Sequence, residues 1–91
     1  MVQPLTIMLD DLDDRSLDEL PFGVICLSRA GKVLRMNRAE AERTGIQRWR
    51  AIGRDFFRDV AYVYRHAAVD QTRIEVERGR DSQRLYLRIH R

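Results

Sequence analysis

A chain of 91 residues, 44% hydrophobic and 34% charged, makes one globular domain at most, because it buries only about two thirds of the surface its unfolded form exposes. Its composition excludes a disordered tail, no run approaches the ~20 apolar residues of a membrane span, and the single cysteine, Cys26, excludes an intrachain disulfide or a cysteine-based zinc site. The net charge of +3 hides a polarity: residues 1–19 carry six acids against Arg15, a net of −5, and residues 20–91 carry sixteen bases against eight acids, a net of +8.

All the basic residues except Lys32 are arginine, which raises the question of nucleic acid. The arginines are dispersed, however, and most have an acid within a few positions, as in Glu40, Glu42 and Arg43 or Arg58 and Asp59. That pattern describes a solvated mixed-charge surface and argues against a nucleic-acid partner. The start MVQPLTIMLDD has neither the basic flank nor the long apolar stretch of a signal peptide. With an unpaired thiol, this points to a cytoplasmic protein and to no membrane partner.

Residues 1–20 form an acidic leader, partly helical, ahead of a single domain at 21–91. Leucines at 5, 9, 12, 17 and 20 among acids predict an amphipathic helix or helical turn that stops before Pro21. Leu9 and Leu12 are candidates for contact with a partner, or equally for a cap over apolar surface. Asp10, Asp11, Asp13 and Asp14 match a calcium loop in composition alone, without its glycine and closing glutamate, and read as hydrated surface acids.

Residues 22–28 are apolar on both faces, as in a buried central strand, and Arg29, Ala30 and Gly31 turn the chain into a second, antiparallel strand at 32–37. Asn37 is placed to cap a helix beginning at Arg38, and Gly45 to end it. Ile46, Trp49 and Ile52 predict an apolar edge on a loose helical turn. Residues 55–71 lack glycine and proline, and Phe56, Val60, Val63 and Ala67 recur at helical spacing, which predicts one longer helix. Residues 72–78 and 84–90 alternate around a turn at 79–82, with Ile74, Val76, Leu85, Leu87 and Ile89 inward and Arg73, Glu75, Glu77, Tyr86 and Arg88 outward.

The residues from Leu17 to Ala61 carry a series of motifs in order. They are LDxLxFG at Leu17, Asp18, Leu20, Phe22 and Gly23, then GxxLxxN at Gly31, Leu34 and Asn37. AExxxTG follows at Ala39, Glu40, Thr44 and Gly45, and IGxxFFxDVA at Ile52, Gly53, Phe56, Phe57, Asp59, Val60 and Ala61. Over this half of the chain the sequence resembles the PAS domain family, and within it the photoactive yellow protein branch. The resemblance implies an α+β fold, a PAS-like antiparallel sheet with short helices on one face. That family's sheet has five strands and this chain supplies four, so it is shortened at the C-terminus and a central strand is wanting. Three arrangements answer this: the last two strands serve as the fourth and fifth, a second copy donates a strand, or the segment was cut from a longer protein. The first is expected, with a dimer in addition.

The branch it resembles carries a coumaroyl pigment on a cysteine and holds it with a tyrosine and a glutamate. Here the cysteine position falls on Val63 and the tyrosine position on Met36, so the tethered chromophore is not expected. A reduced pocket would be lined by Cys26, Met36, Glu40, Thr44, Phe57 and Val63. Glu40 reads as a helix-surface acid near Arg43, with an inward, ligand-facing carboxyl as its alternative. His66 lies where some PAS sensors hold haem, although a half-exposed helical histidine is the simpler reading.

Phosphate loops, nucleophile elbows, H-E-x-x-H helices and the flavin-binding cysteine helix are absent. The expected function is therefore a non-catalytic PAS-type regulatory and interaction module of signal transduction. It would contact a second copy or another signalling protein through Leu9, Leu12, Tyr62, Tyr64 and Tyr86, and would need no cofactor. A sensor of haem or a small apolar ligand is the first alternative, and a small enzyme or accessory the second.

Overall fold

The computed structural model describes residues 8–60 and 73–90. Its sheet is organised around β1 (Gly23–Ser28), whose first five residues are buried. The segment GVICLS carries no charge, so both of its faces can be covered without desolvating an ion. β2 (Val33–Met36) pairs along one side of β1 with an irregularity between Cys26 and Leu27, β4 (Arg84–His90) pairs along the other, and β3 (Arg73–Arg78) pairs outside β4. The order is β2-β1-β4-β3, antiparallel throughout.

The last strand thus occupies the central place beside β1, in register from Gly23 opposite Ile89 to Ser28 opposite Arg84. No gap is left there. Of the three arrangements considered above, the described strands adopt the first, with β3 and β4 in the places of the fourth and fifth strands.

Side chains alternate along a strand, and β1 accordingly divides the core in two. Ile25 and Leu27 pack with Val33, Met36, Ala51, Phe56 and Ile89 on one side. Val24 and Cys26 pack with Leu9, Leu17 and Tyr86 on the other.

The second side is covered by the leader, a 3-10 turn at Leu9–Asp11 followed by α1 (Asp14–Asp18). Asp13 caps α1 by accepting the Ser16 N–H at 2.8 Å. Leu9 and Leu17 are buried, and each contributes about 2 kcal/mol by leaving water. The cap reading of these leucines is the correct one, and Leu9 is not on offer to a partner.

α2 (Arg38–Thr44) and α3 (Arg48–Ala51) lie on the first side. α2 ends at Gly45, whose left-handed φ of 74° lets its N–H reach the Ala41 carbonyl. Of the apolar edge expected from Ile46, Trp49 and Ile52, only Ile46 packs against the core. Ala51 is the residue that turns inward, and Trp49 and Ile52 are exposed, because a helix of one turn is too short for a three-residue spacing to define a side. The helix expected over residues 55–71 starts as a π-helical turn at Phe56–Val60. The rest of that expectation, with Tyr62, Val63, Tyr64 and His66, lies outside the described residues.

Asn37 ties these parts together from a fully buried position. Its Oδ1 accepts the Val24 N–H at 2.8 Å and the Glu40 N–H at 3.2 Å, and its Nδ2 donates to the carbonyls of Leu17 and Phe22, both at 2.9 Å. One side chain therefore caps α2, as expected, and also fastens the end of α1 and the start of β1. Asn37→Ala should lower the unfolding free energy in urea by about 3–5 kcal/mol, since several buried backbone groups lose their partner at once. A loss under about 1 kcal/mol would show that these bonds do not hold the leader and helix to the sheet.

Candidate functional site

Glu40 is where structure and expectation part most clearly. It is fully buried, not on the helix surface, whereas Arg38, Glu42 and Arg43 are exposed. The cause is the cap: with Asn37 fixing the first turn of α2, the third helical position points back at β1. There Glu40 lies over Gly23, and a Cβ at Gly23 would collide with the Glu40 carboxylate. Gly23 is thus required by close approach.

Of the expected pocket, Val63 lies outside the described residues, and Thr44, Met36, Phe57 and Cys26 are engaged elsewhere than at the Glu40 carboxyl. The Thr44 hydroxyl donates to the Glu40 carbonyl at 2.9 Å and accepts the Ile46 N–H at 3.3 Å, so it is used within its own helix. Met36 is part of the packed core beside Ile25. Phe57 is 66% exposed, its ring edge-on to the buried Phe56 and next to Gly31. Cys26 points to the leader side, so β1 itself separates it from Met36 and α2. Burial pushes the Cys26 thiol up, which keeps it protonated and unreactive.

The leader side carries a polar cluster that sequence reasoning missed. Tyr86 is fully buried; its hydroxyl donates to Asp10 at 2.8 Å and accepts from Arg35 Nη1 at 2.9 Å. Arg35 also donates to the Leu12 carbonyl at 2.6 Å and to Asp14 at 3.0 Å. Asp10 accepts the Arg80 N–H at 3.1 Å, Asp11 pairs with Arg80 at 2.7 Å, and the Leu9 N–H donates to Glu77 at 2.8 Å.

One expectation is corrected here. Tyr86 faces away from α2 and α3, as its alternation implied, but the leader covers that face, so it is no exposed anchor. The leader aspartates Asp11, Asp13 and Asp14 are exposed, as expected, and with Asp10 they also accept the hydrogen bonds of this cluster and of the α1 cap. The pairing of an acidic leader with a basic sheet was visible in the −5 and +8 charge split, the one signal that pointed to it.

The hydrogen bond from Tyr86, then that from the Arg80 N–H, holds Asp10 below the usual carboxylate range. Burial, then the bond to Asp10, pushes Tyr86 up from 10.0 to about 12. Among the described residues, no group of histidine, cysteine, aspartate or glutamate is arranged to hold a metal. No helix among them is long and apolar enough to cross a membrane.

No family model matches the sequence. Over 51 residues the chain is 43% identical to photoactive yellow protein from Rhodothalassium salexigens, covering 56% of this chain and 41% of that protein. Over 53 residues it is 45% identical to photoactive yellow protein from Halochromatium salexigens, covering 58% and 42%. The matched segment thus spans about two fifths of the length of these curated relatives.

Among solved structures, the chain resembles the photoactive yellow protein domain from the sensor histidine kinase Ppr from Rhodospirillum centenum. The TM-score is 0.74 and the identity 22%, over 91% of this chain and 96% of that one. It also resembles the PAS domain of the HTR-like protein from Haloarcula marismortui, with a TM-score of 0.54 and 14% identity, over 85% and 86%. The fold is that of a PAS domain. Within that class the sequence is close to photoactive yellow protein over somewhat more than half of its length.

Two measurements test this geometry. Gly23→Ala should destabilise the protein by about 2 kcal/mol through overpacking, and Glu40→Ala in the same chain should recover part of that loss; strictly additive effects in the double-mutant cycle would disprove the contact. Because Tyr86 has a folded value of about 12 against 10.0, its contribution is fully present below pH 10 and is lost as pH rises through about 12. The stability of Tyr86→Phe, followed by denaturant unfolding, should lack that part of the alkaline decline. Parallel curves for the two proteins would remove Tyr86 as its source.

Proposed function

We propose that this chain is a non-catalytic PAS-type regulatory module of signal transduction, working in the cytoplasm through contact with a second copy of itself or another signalling protein. The observation that supports this best is a set of large apolar side chains that the fold leaves exposed. Trp49 is 70% exposed, Phe57 66% and Val76 62%, with Ile74 beside Val76 on β3. Exposed aromatic side chains of this kind are the usual anchors of protein contacts. They replace Leu9 and Tyr86, which are buried, as the residues on which contact would rest. The occurrence of a structurally similar domain in a sensor histidine kinase supports a signalling setting.

A tethered pigment has no support from the residues in place. The aligned position is Val63, and Cys26, the chain's one cysteine, is sealed on the far side of β1 from α2. The reading as a non-enzyme rests on the absence of any nucleophile or acid-base motif in the sequence. The second reading is a sensor of haem or a small apolar ligand, motivated by the Glu40 carboxyl that faces inward from α2 onto β1.

Light scattering across a range of protein concentrations tests the first reading. The expected result is self-association that Trp49→Ala or Val76→Asp weakens. A monomer at every concentration removes the homodimer, and visible absorbance or added mass on protein purified from its own host would favour the ligand sensor instead.

A further inference from the structure

At the end of the sheet where β1 and β3 finish and β4 begins, a groove of about 350 Å³ is lined by Ser28, Arg29, Arg78, Ser82, Gln83, Arg84 and Leu85, and by no acid. Only strand pairing brings these residues together. Arg84 stands opposite Ser28 across β1 and β4, and Arg78 is opposite Leu85, the next residue of β4. Arg29 and Arg78 form no ion pair with any described residue, unlike Arg35, Arg48, Arg73, Arg80 and Arg88. Arg84 has a long contact of 3.5 Å to Asp10. The same hairpin already holds one anion, since the Asp10 carboxylate accepts the Arg80 N–H.

We propose that this groove binds a phosphoryl group, the dianionic end of a small phosphate monoester or of a phosphorylated side chain. Arg29 and Arg78 have no ion-pair partner among the described residues, whereas Arg84 already pairs with Asp10, so a ligand that neutralises the first two gains the most. A carboxylate brings one charge and two oxygens. A phosphoryl group brings about −1.5 to −2 and three acceptor oxygens, which suit the planar forks of arginine. The Ser28 and Ser82 hydroxyls and the Gln83 amide add neutral donors on the same lining. The groove is short and several other arginines are engaged in ion pairs, so there is no continuous basic track for a nucleic-acid backbone.

The test is an NMR titration of the whole chain with inorganic phosphate and, separately, phosphoserine, at ionic strength held constant with sodium chloride. Saturable shifts should centre on residues 28–29 and 78–85. Arg29→Gln or Arg78→Gln should each weaken binding by about tenfold or more, as loss of a charged hydrogen bond implies, and Arg84 is left intact because it contacts Asp10. Saturation by phosphate alone would identify a free anion, and by phosphoserine alone a carried one. Non-saturating shifts, shifts mapped elsewhere, or unchanged binding in the double variant would overturn the proposal. So would a single-stranded oligonucleotide that binds more tightly and perturbs the whole basic surface. If a variant fails to fold, the position and saturation of the wild-type shifts decide alone.

Discussion

Asn37 holds the end of α1, the start of β1 and the first turn of α2 with the four hydrogen-bonding positions of one amide. Each backbone group it serves is taken from water when the two sides of the sheet are covered, and a buried donor or acceptor without a partner destabilises by more than an ordinary bond contributes. The side chain therefore makes burial possible for three elements together. It also sets the phase of α2, which is why Glu40 points inward onto Gly23 while Arg43 remains in water.

The second constraint is charge. A sheet with a basic margin is covered by a leader rich in aspartate, and the contact is built from a few directed bonds around Tyr86, Asp10 and Arg35. Exposed ion pairs contribute little. The part that matters is the buried tyrosine hydroxyl, which has both a donor and an acceptor partner and so is not left unsatisfied. The leucines of the leader supply the apolar area, and the aspartates fix where that area sits.

These constraints shape what the domain can do. β1 is covered on both faces, so residues on its two sides cannot share a pocket, and Cys26 is parted from Met36, Glu40 and Thr44. A chain of this size also cannot cover all its apolar side chains, and among the described residues the most exposed large ones are Trp49, Phe57, Ile74 and Val76. Contact with another protein is the reading that uses this surface. The proposed arginine groove lies at the sheet's end, where Arg78 follows Val76 on β3.

Much of the architecture could be read from residue order. The uncharged run of β1, the turn at Gly31, the Asn37 cap, the Gly45 stop and the existence of the last two strands are local signals, decided by backbone preference and periodicity; the inward side expected of Ile74 and Val76 did not follow, since both are exposed on the edge strand β3. Which side of a surface is wet is not local. Tyr86 has the pattern of an exposed residue until the leader folds over the sheet, Leu9 fits a cap and a partner contact equally until then, and Glu40 has the pattern of a surface acid until the cap turns it inward. Arg29, Arg78 and Arg84 are scattered in the chain and meet only through strand pairing. The amino-acid sequence by itself determined the elements and their order; tertiary structure decided burial and the grouping of charges, because both depend on contacts between residues far apart in the chain.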